Sequence, residues 1–193
     1  MSRERILDAA IERIARDGID GVRIARIAMD AGVSTALVHY HFATREALLA
    51  EALEHSFALA GDTRITDTGE APSVQRLRAM VEECLPLPGA QEREWVLWVE
   101  LWLRAVRHPE LRPTAAHLYA RMHDWFAEAI EAGVASGELA PCDAGRTADR
   151  VLALIDGFGV RALLGDPAMP IERARKEIWA VLARELEIQT VSR

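Results

Sequence analysis

Apolar residues recur at helical spacing almost from the start of the chain. Ile6, Leu7, Ala10, Ile11 and Ile14 form a stripe that predicts a first helix ending at Gly18. Ile24, Ile27 and Ala28 mark a short second helix closed by Gly32, and Ser34 caps a third, "TALVHYHF". "ATREALLAEALEHSFALAG" reads as a fourth, capped near Thr44 and ended at Gly61. The polar stretch "DTRITDTGEAPS" then separates two parts. Beyond it lie "VQRLRAMVEECLPL", the tryptophan-rich "EREWVLWVELWLRAV", and a long helix from about Pro109 to Ser136 closed by Gly137. "AGRTADRVLALIDGFGVRALLG" and "IERARKEIWAVLARELEI" complete the pattern. Strand alternation is weak, so the prediction is an all-α fold of about nine helices, without internal repeats. A first domain covers residues 1–50 and a larger helical domain covers 51–193.

The second and third helices are joined by a tight "AGVS" turn, the pattern of a helix-turn-helix. Gly32 permits the left-handed backbone of a sharp turn. Val33 ties the turn to the core, Ala31 lets the helices approach, and Ile27, Ala28 and Leu37 or Val38 fill the inner face. The second of these helices is left to project polar groups into a major groove. Ser34, Thr35, Tyr40 and His41 carry hydrogen-bonding groups suited to phosphates or base edges. Tyr40 is expected to point outward onto a phosphate, and Thr35 and His39 to reach base edges. His41 is open to a second reading, as packing against the first helix. His39 and His41 are two apart, about 200° around a helix, and do not chelate one ion.

Composition adjusts this picture. Half the residues are apolar and 27% charged, a globular and not a disordered composition. No apolar run reaches the ~18 residues of a membrane span, and "MSRERILDAA" is unlike a secretory signal, so the expected location is cytoplasmic. Cys84 and Cys142 suit a reducing compartment, with Cys84 an inert thiol. A net charge of −7 is unusual for a nucleic-acid binder, but its distribution is uneven. Residues 1–50 hold seven arginines and seven acids, so the whole excess of negative charge lies in residues 51–193.

The run "IARIAMDAGVSTALVHYHFATREALL" resembles the N-terminal domain of TetR-family transcriptional repressors. The resemblance rests on Ile27 and Ala28, "AGVS", His41 and Phe42, and Arg45 followed by "EALL". It covers about residues 3–50; the rest resembles the choline-repressor type of C-terminal domain more loosely. It implies DNA contacts by Arg23, Ser34, Thr35, His39, Tyr40, His41 and Arg45. Here Arg23 stands where the family has Thr or Ser, Ala36 where it often has Gly, and His39 where it often has Tyr.

Two features of the second part invite function. Trp95, Trp98 and Trp102 fall at i, i+3 and i+7, on one helical face, and the long helix adds Met122, Trp125 and Phe126. These residues serve either as core or as the lining of a pocket for a largely apolar, aromatic or cationic compound. Glu100, beside the stripe, is a possible counter-charge. The run "RVLALIDGFGVRALLG" looks apolar almost all round, which calls for cover by a second subunit. Val151, Leu154, Ile155 and Phe158, with Ile178 and Leu182 of the last helix, are the expected dimer interface.

The reading is therefore a homodimeric DNA-binding repressor on a palindromic operator, released by a small-molecule effector and needing no cofactor. One rival is a ligand-independent architectural or activating DNA binder. Another is a helical enzyme, but no nucleophile–base constellation, metal motif or phosphate loop is visible.

Overall fold

In the computed structural model, residues 2–65 and 73–188 are described. They form nine α-helices, and no strand occurs among them: α1 (Ser2–Gly21), α2 (Ile24–Asp30), α3 (Thr35–His41), α4 (Arg45–Ile65), α5 (Ser73–Glu83), α6 (Ala90–Arg107), α7 (Arg112–Ser136), α8 (Ala144–Leu163) and α9 (Ile171–Glu185). The helical path of α1 breaks where the sequence places its end. Gly18 has φ 67° and ψ 164°, and a last turn continues to Gly21. The fourth helix, by contrast, runs past Gly61 to Ile65. It takes in the first residues of the expected linker, whose residues 66–72 lie outside the described ones. Pro109–Leu111 form a 3₁₀ turn leading into α7, because proline suits a first helical position and cannot continue one.

The chain divides into two compact units. The first joins Met1–Thr63 to Val96–Leu118, and the second joins Arg64–Trp95 to Tyr119–Arg193. The expected boundary at residue 50 falls inside α4, which is continuous there.

The first unit is built around one core. Ile6, Ile14, Ile27, Val38, Leu48 and Leu53 come from the first four helices, and Phe42 from the C-cap of α3. Leu97 and Leu101 of α6 and Leu118 of α7 complete it, all at 3% exposure or less. In the second unit, α9 packs against α8 and α5. The buried residues of α8 occupy one face, including Ala148, Val151, Leu152, Ile155 and Gly159. Ile178 and Leu182 of α9 are buried as well. Apolar side chains remain outside that face, as the sequence pattern leads one to expect. Val151, Ile155, Ile178 and Leu182 are already covered by their own chain, whereas Leu154 and Phe158 are half-buried and Leu164 is 78% exposed.

Candidate nucleic-acid interface

The turn between α2 and α3 forms as its residues dictate. Gly32 takes φ 63°, in the left-handed region that glycine enters without cost. The Val33 amide donates to Ala28 O at 2.9 Å and the Gly32 amide to Met29 O at 3.1 Å, closing the carbonyl end of α2. The Ser34 hydroxyl accepts from the Leu37 amide at 3.1 Å and so caps α3. Val38 is the residue of α3 that is fully buried, while Leu37 is half-buried.

The outer face of α3 is polar and open. Thr35, Ala36, His39 and Tyr40 are exposed, Tyr40 at 82%. The Tyr40 ring meets His41 edge-on, with centroids 5.3 Å apart. His41 itself is half-buried, with its Nε2 3.3 Å from the Ser2 hydroxyl of α1. Arg23 occupies the N-cap of α2, exposed and without a capping bond from its side chain.

Arginines hold this face in place, and sequence reasoning missed most of them. Arg13 is 8% exposed. Its Nε and Nη2 engage both oxygens of Asp30, the latter at 2.9 Å, and its Nη1 donates to Asp17 at 3.0 Å. Hydrogen bonds from this guanidinium hold the Asp30 carboxyl below the usual carboxylate range. Arg16, then Arg13, does the same for Asp17. Arg5 donates to the turn itself, through Nε to Ala31 O at 3.2 Å and Nη2 to Gly32 O at 3.3 Å. Arg45 donates through Nε to Val22 O at 2.9 Å and through Nη2 to Ile19 O. It thus closes the carbonyl end of α1. A charge matching nearby acids at the same count is visible in the sequence, but carbonyl partners are not.

The tryptophans of α6 do not share one setting. Trp95 is buried in the second unit, its Nε1 donating to Cys84 O at 3.0 Å. A Cβ built on Gly159 would overlap its indole. Trp98 is partly buried against the core of the first unit, and its ring lies 5.8 Å from that of Trp102. Trp125 and Phe126 are 5.5 Å apart, with Phe126 fully buried and Met122 and Trp125 partly so. Glu100 reaches Gly18 of α1, where a Cβ would lie 3.5 Å from its Oε1.

The second unit also holds a polar pair that periodicity does not reveal. The Tyr119 hydroxyl donates to Asp156 Oδ2 at 2.7 Å. Burial pushes the Asp156 carboxyl up, opposed by this hydrogen bond. Burial, then the bond to Asp156, also raises the Tyr119 hydroxyl. The available signal was a lone acid inside the apolar run of α8.

A compact three-helix head with an exposed polar recognition helix defines a helix-turn-helix DNA-binding protein. The sequence profile of the tetR family of bacterial regulatory proteins matches residues 6–52, and that of the BetI-type transcriptional repressor C-terminal domain matches residues 73–187. The chain belongs to the TetR family of transcriptional regulators, with a C-terminal domain of the BetI type. It is similar to the HTH-type transcriptional regulator BetI of Paraburkholderia phymatum, at 28% identity over 172 residues, 86% of this chain and 83% of the relative. Among solved structures, it resembles a transcriptional regulator from Saccharomonospora viridis in complex with choline. That likeness has a TM-score of 0.83 and 34% identity, and covers 99% of this chain and 98% of that one. A TetR-family regulator from Rhodococcus sp. matches with a TM-score of 0.83 and 29% identity, over 96% of this chain and 98% of that one. The chain is accordingly a DNA-binding transcriptional repressor of the BetI type and not an enzyme.

Proposed function

We propose that two copies of the chain bind a palindromic operator and that a small-molecule effector releases them. The observation that carries the DNA half is the outer face of α3, where Thr35, His39 and the 82% exposed Tyr40 stand on a buried, capped scaffold. The two-fold operator follows from dimerisation, for which Leu154 and Phe158 of α8 are the side chains left half-covered by their own chain. No helix among the described residues is long and apolar enough to cross a membrane, in keeping with a protein that meets DNA in the cytoplasm.

For the effector, the structural neighbour solved with choline favours a small organic cation. In this chain the second unit holds the half-buried Trp125 and the partly buried Asp156 carboxyl, groups of the kinds that suit a cation. An effector acts only through its preference for one of two states, and the coupling is reciprocal. Duplexes selected from a random pool by the purified chain are expected to carry a two-fold repeat and to bind two chains. Choline is expected to raise the melting temperature and to weaken operator binding by the factor by which operator weakens choline binding. Selected sites without two-fold symmetry would refute the dimeric reading. Unchanged melting and operator affinity across millimolar choline would refute the cationic effector.

A further inference from the structure

The first fifty residues carry seven arginines, but their guanidiniums are not equally available. Arg3 pairs with Glu51 and lies over the Phe42 ring, with its Cζ 5.4 Å from the centroid. Arg5 and Arg45 are bound to backbone carbonyls, Arg13 to Asp30 and Asp17, and Arg16 to Asp17 at 3.1 Å. Arg23 and Arg26 differ from these. Both are exposed, and within the described residues neither side chain makes a hydrogen bond or an ion pair. Arg23 is the extended N-cap of α2 and Arg26 its third helical residue, two positions whose side chains adjoin at a helix start.

The freedom of Arg26 has a cause. Asp30 lies four residues further along the same helix, the spacing at which opposite charges on a helix usually pair. Both Asp30 oxygens are taken by Arg13 of α1. That bidentate grip takes both oxygens of the acid, so Arg26 feels the Asp30 charge but makes no hydrogen bond to it. A positive pair therefore survives on α2 although the head as a whole carries no net charge.

We infer that Arg23 and Arg26 are the phosphate ligands that α2 presents to DNA, that Arg13 frees Arg26 for this by occupying Asp30, and that Arg45 and Arg5 are positioning residues bound to backbone carbonyls. The inference rests on the DNA-binding reading and adds a division of labour among the arginines. Phosphate contacts are sequence-independent and release counterions, so each lost contact flattens the dependence of log affinity on log salt by about 0.9.

The test uses the full chain with two labelled duplexes, one selected by the wild type from a random pool and one of scrambled sequence, titrated across a range of salt. Arg23→Ala and Arg26→Ala are each expected to reduce the salt slope by about 0.9 per bound chain, and together by about 1.8, on both duplexes. Arg26→Lys should restore the slope, because a phosphate contact needs charge more than shape. Arg45→Ala should lower the melting temperature and leave the slope of the folded protein unchanged. A double variant of Arg23 and Arg26 that keeps the wild-type slope overturns the assignment. So does Arg45→Ala with a flattened slope and an unaltered melting temperature. A wild type that binds neither duplex overturns the DNA-binding reading and this inference together.

Discussion

Asp156 shows how much a single residue can hide inside a regular pattern. Its position in α8 is surrounded by Leu154, Ile155 and Phe158, and its partner Tyr119 lies on another helix. Burial is the larger influence on its carboxyl and the Tyr119 hydrogen bond the smaller, so the proton is held more tightly in the folded chain. Between the ordinary carboxylate value and this raised one, the folded state binds more protons than the unfolded state, and stability falls as pH rises. Above the raised value the full cost is present. Asp156→Asn removes the charge and keeps an acceptor for Tyr119. It is expected to raise stability at pH 7 by on the order of 1 kcal/mol, or about 3 °C in melting temperature. That gain should shrink as pH falls from the raised value to the ordinary carboxylate range, which a melting series against pH will show. Arg45 makes the same point for the DNA-binding head. Its place in the motif is legible in the sequence, but its partners, Val22 O and Ile19 O, are main-chain atoms with no residue signature. By contrast, Gly32, Val33 and Ser34 were legible because each has a local task fixed by turn and cap geometry.

At the scale of helices, periodicity and breakers located nearly every element, since an amphipathic stripe and a terminal glycine are local properties. The departures have physical reasons. Gly61 did not stop α4, because a single glycine costs a helix only ~1 kcal/mol and carries no obligation to end it. The tryptophans of α6 share a helical face in projection but belong to different units, a division that spacing cannot express. In α8, the apolar residues outnumber one face: Val151, Leu152 and Ile155 fill it, and Leu154 and Phe158 are left half-buried. Gly159 sits in that face because Trp95 lies directly on it. An alanine there gains roughly 1 kcal/mol of helix propensity. The indole has nowhere to go, being 6% exposed and tied to Cys84 O, and overpacking typically costs ~1–3 kcal/mol or more. The second effect should win. Gly159→Ala is expected to lower the melting temperature by several degrees and to alter Trp fluorescence, and a stabilised variant would show that the ring is free to move.

For the whole molecule, the pattern of cover on α8 sets the terms of assembly. Val151 and Ile155 are spent inside the chain, so the dimer we propose must be built on Leu154, Phe158 and their neighbours. Phe158→Glu would bury an unpaired charge there, at a cost of several kcal/mol. Sedimentation is expected to show a monomer, with operator affinity falling because one head grips one half-site. A variant that sediments as a dimer and binds operator normally would move the interface elsewhere. The first unit carries a different consequence. Its core is closed by Leu97, Leu101 and Leu118, which follow Thr63 only after a long detour of the chain through the other unit. A ribosome making this protein at ~5–20 residues per second needs roughly 3–11 s to pass from Thr63 to Leu118. During that interval the nascent DNA-binding head has its recognition helix but an open hydrophobic side. The same residues constrain protein engineers, because a chimera that grafts residues 1–63 onto another regulator transplants a head without its floor.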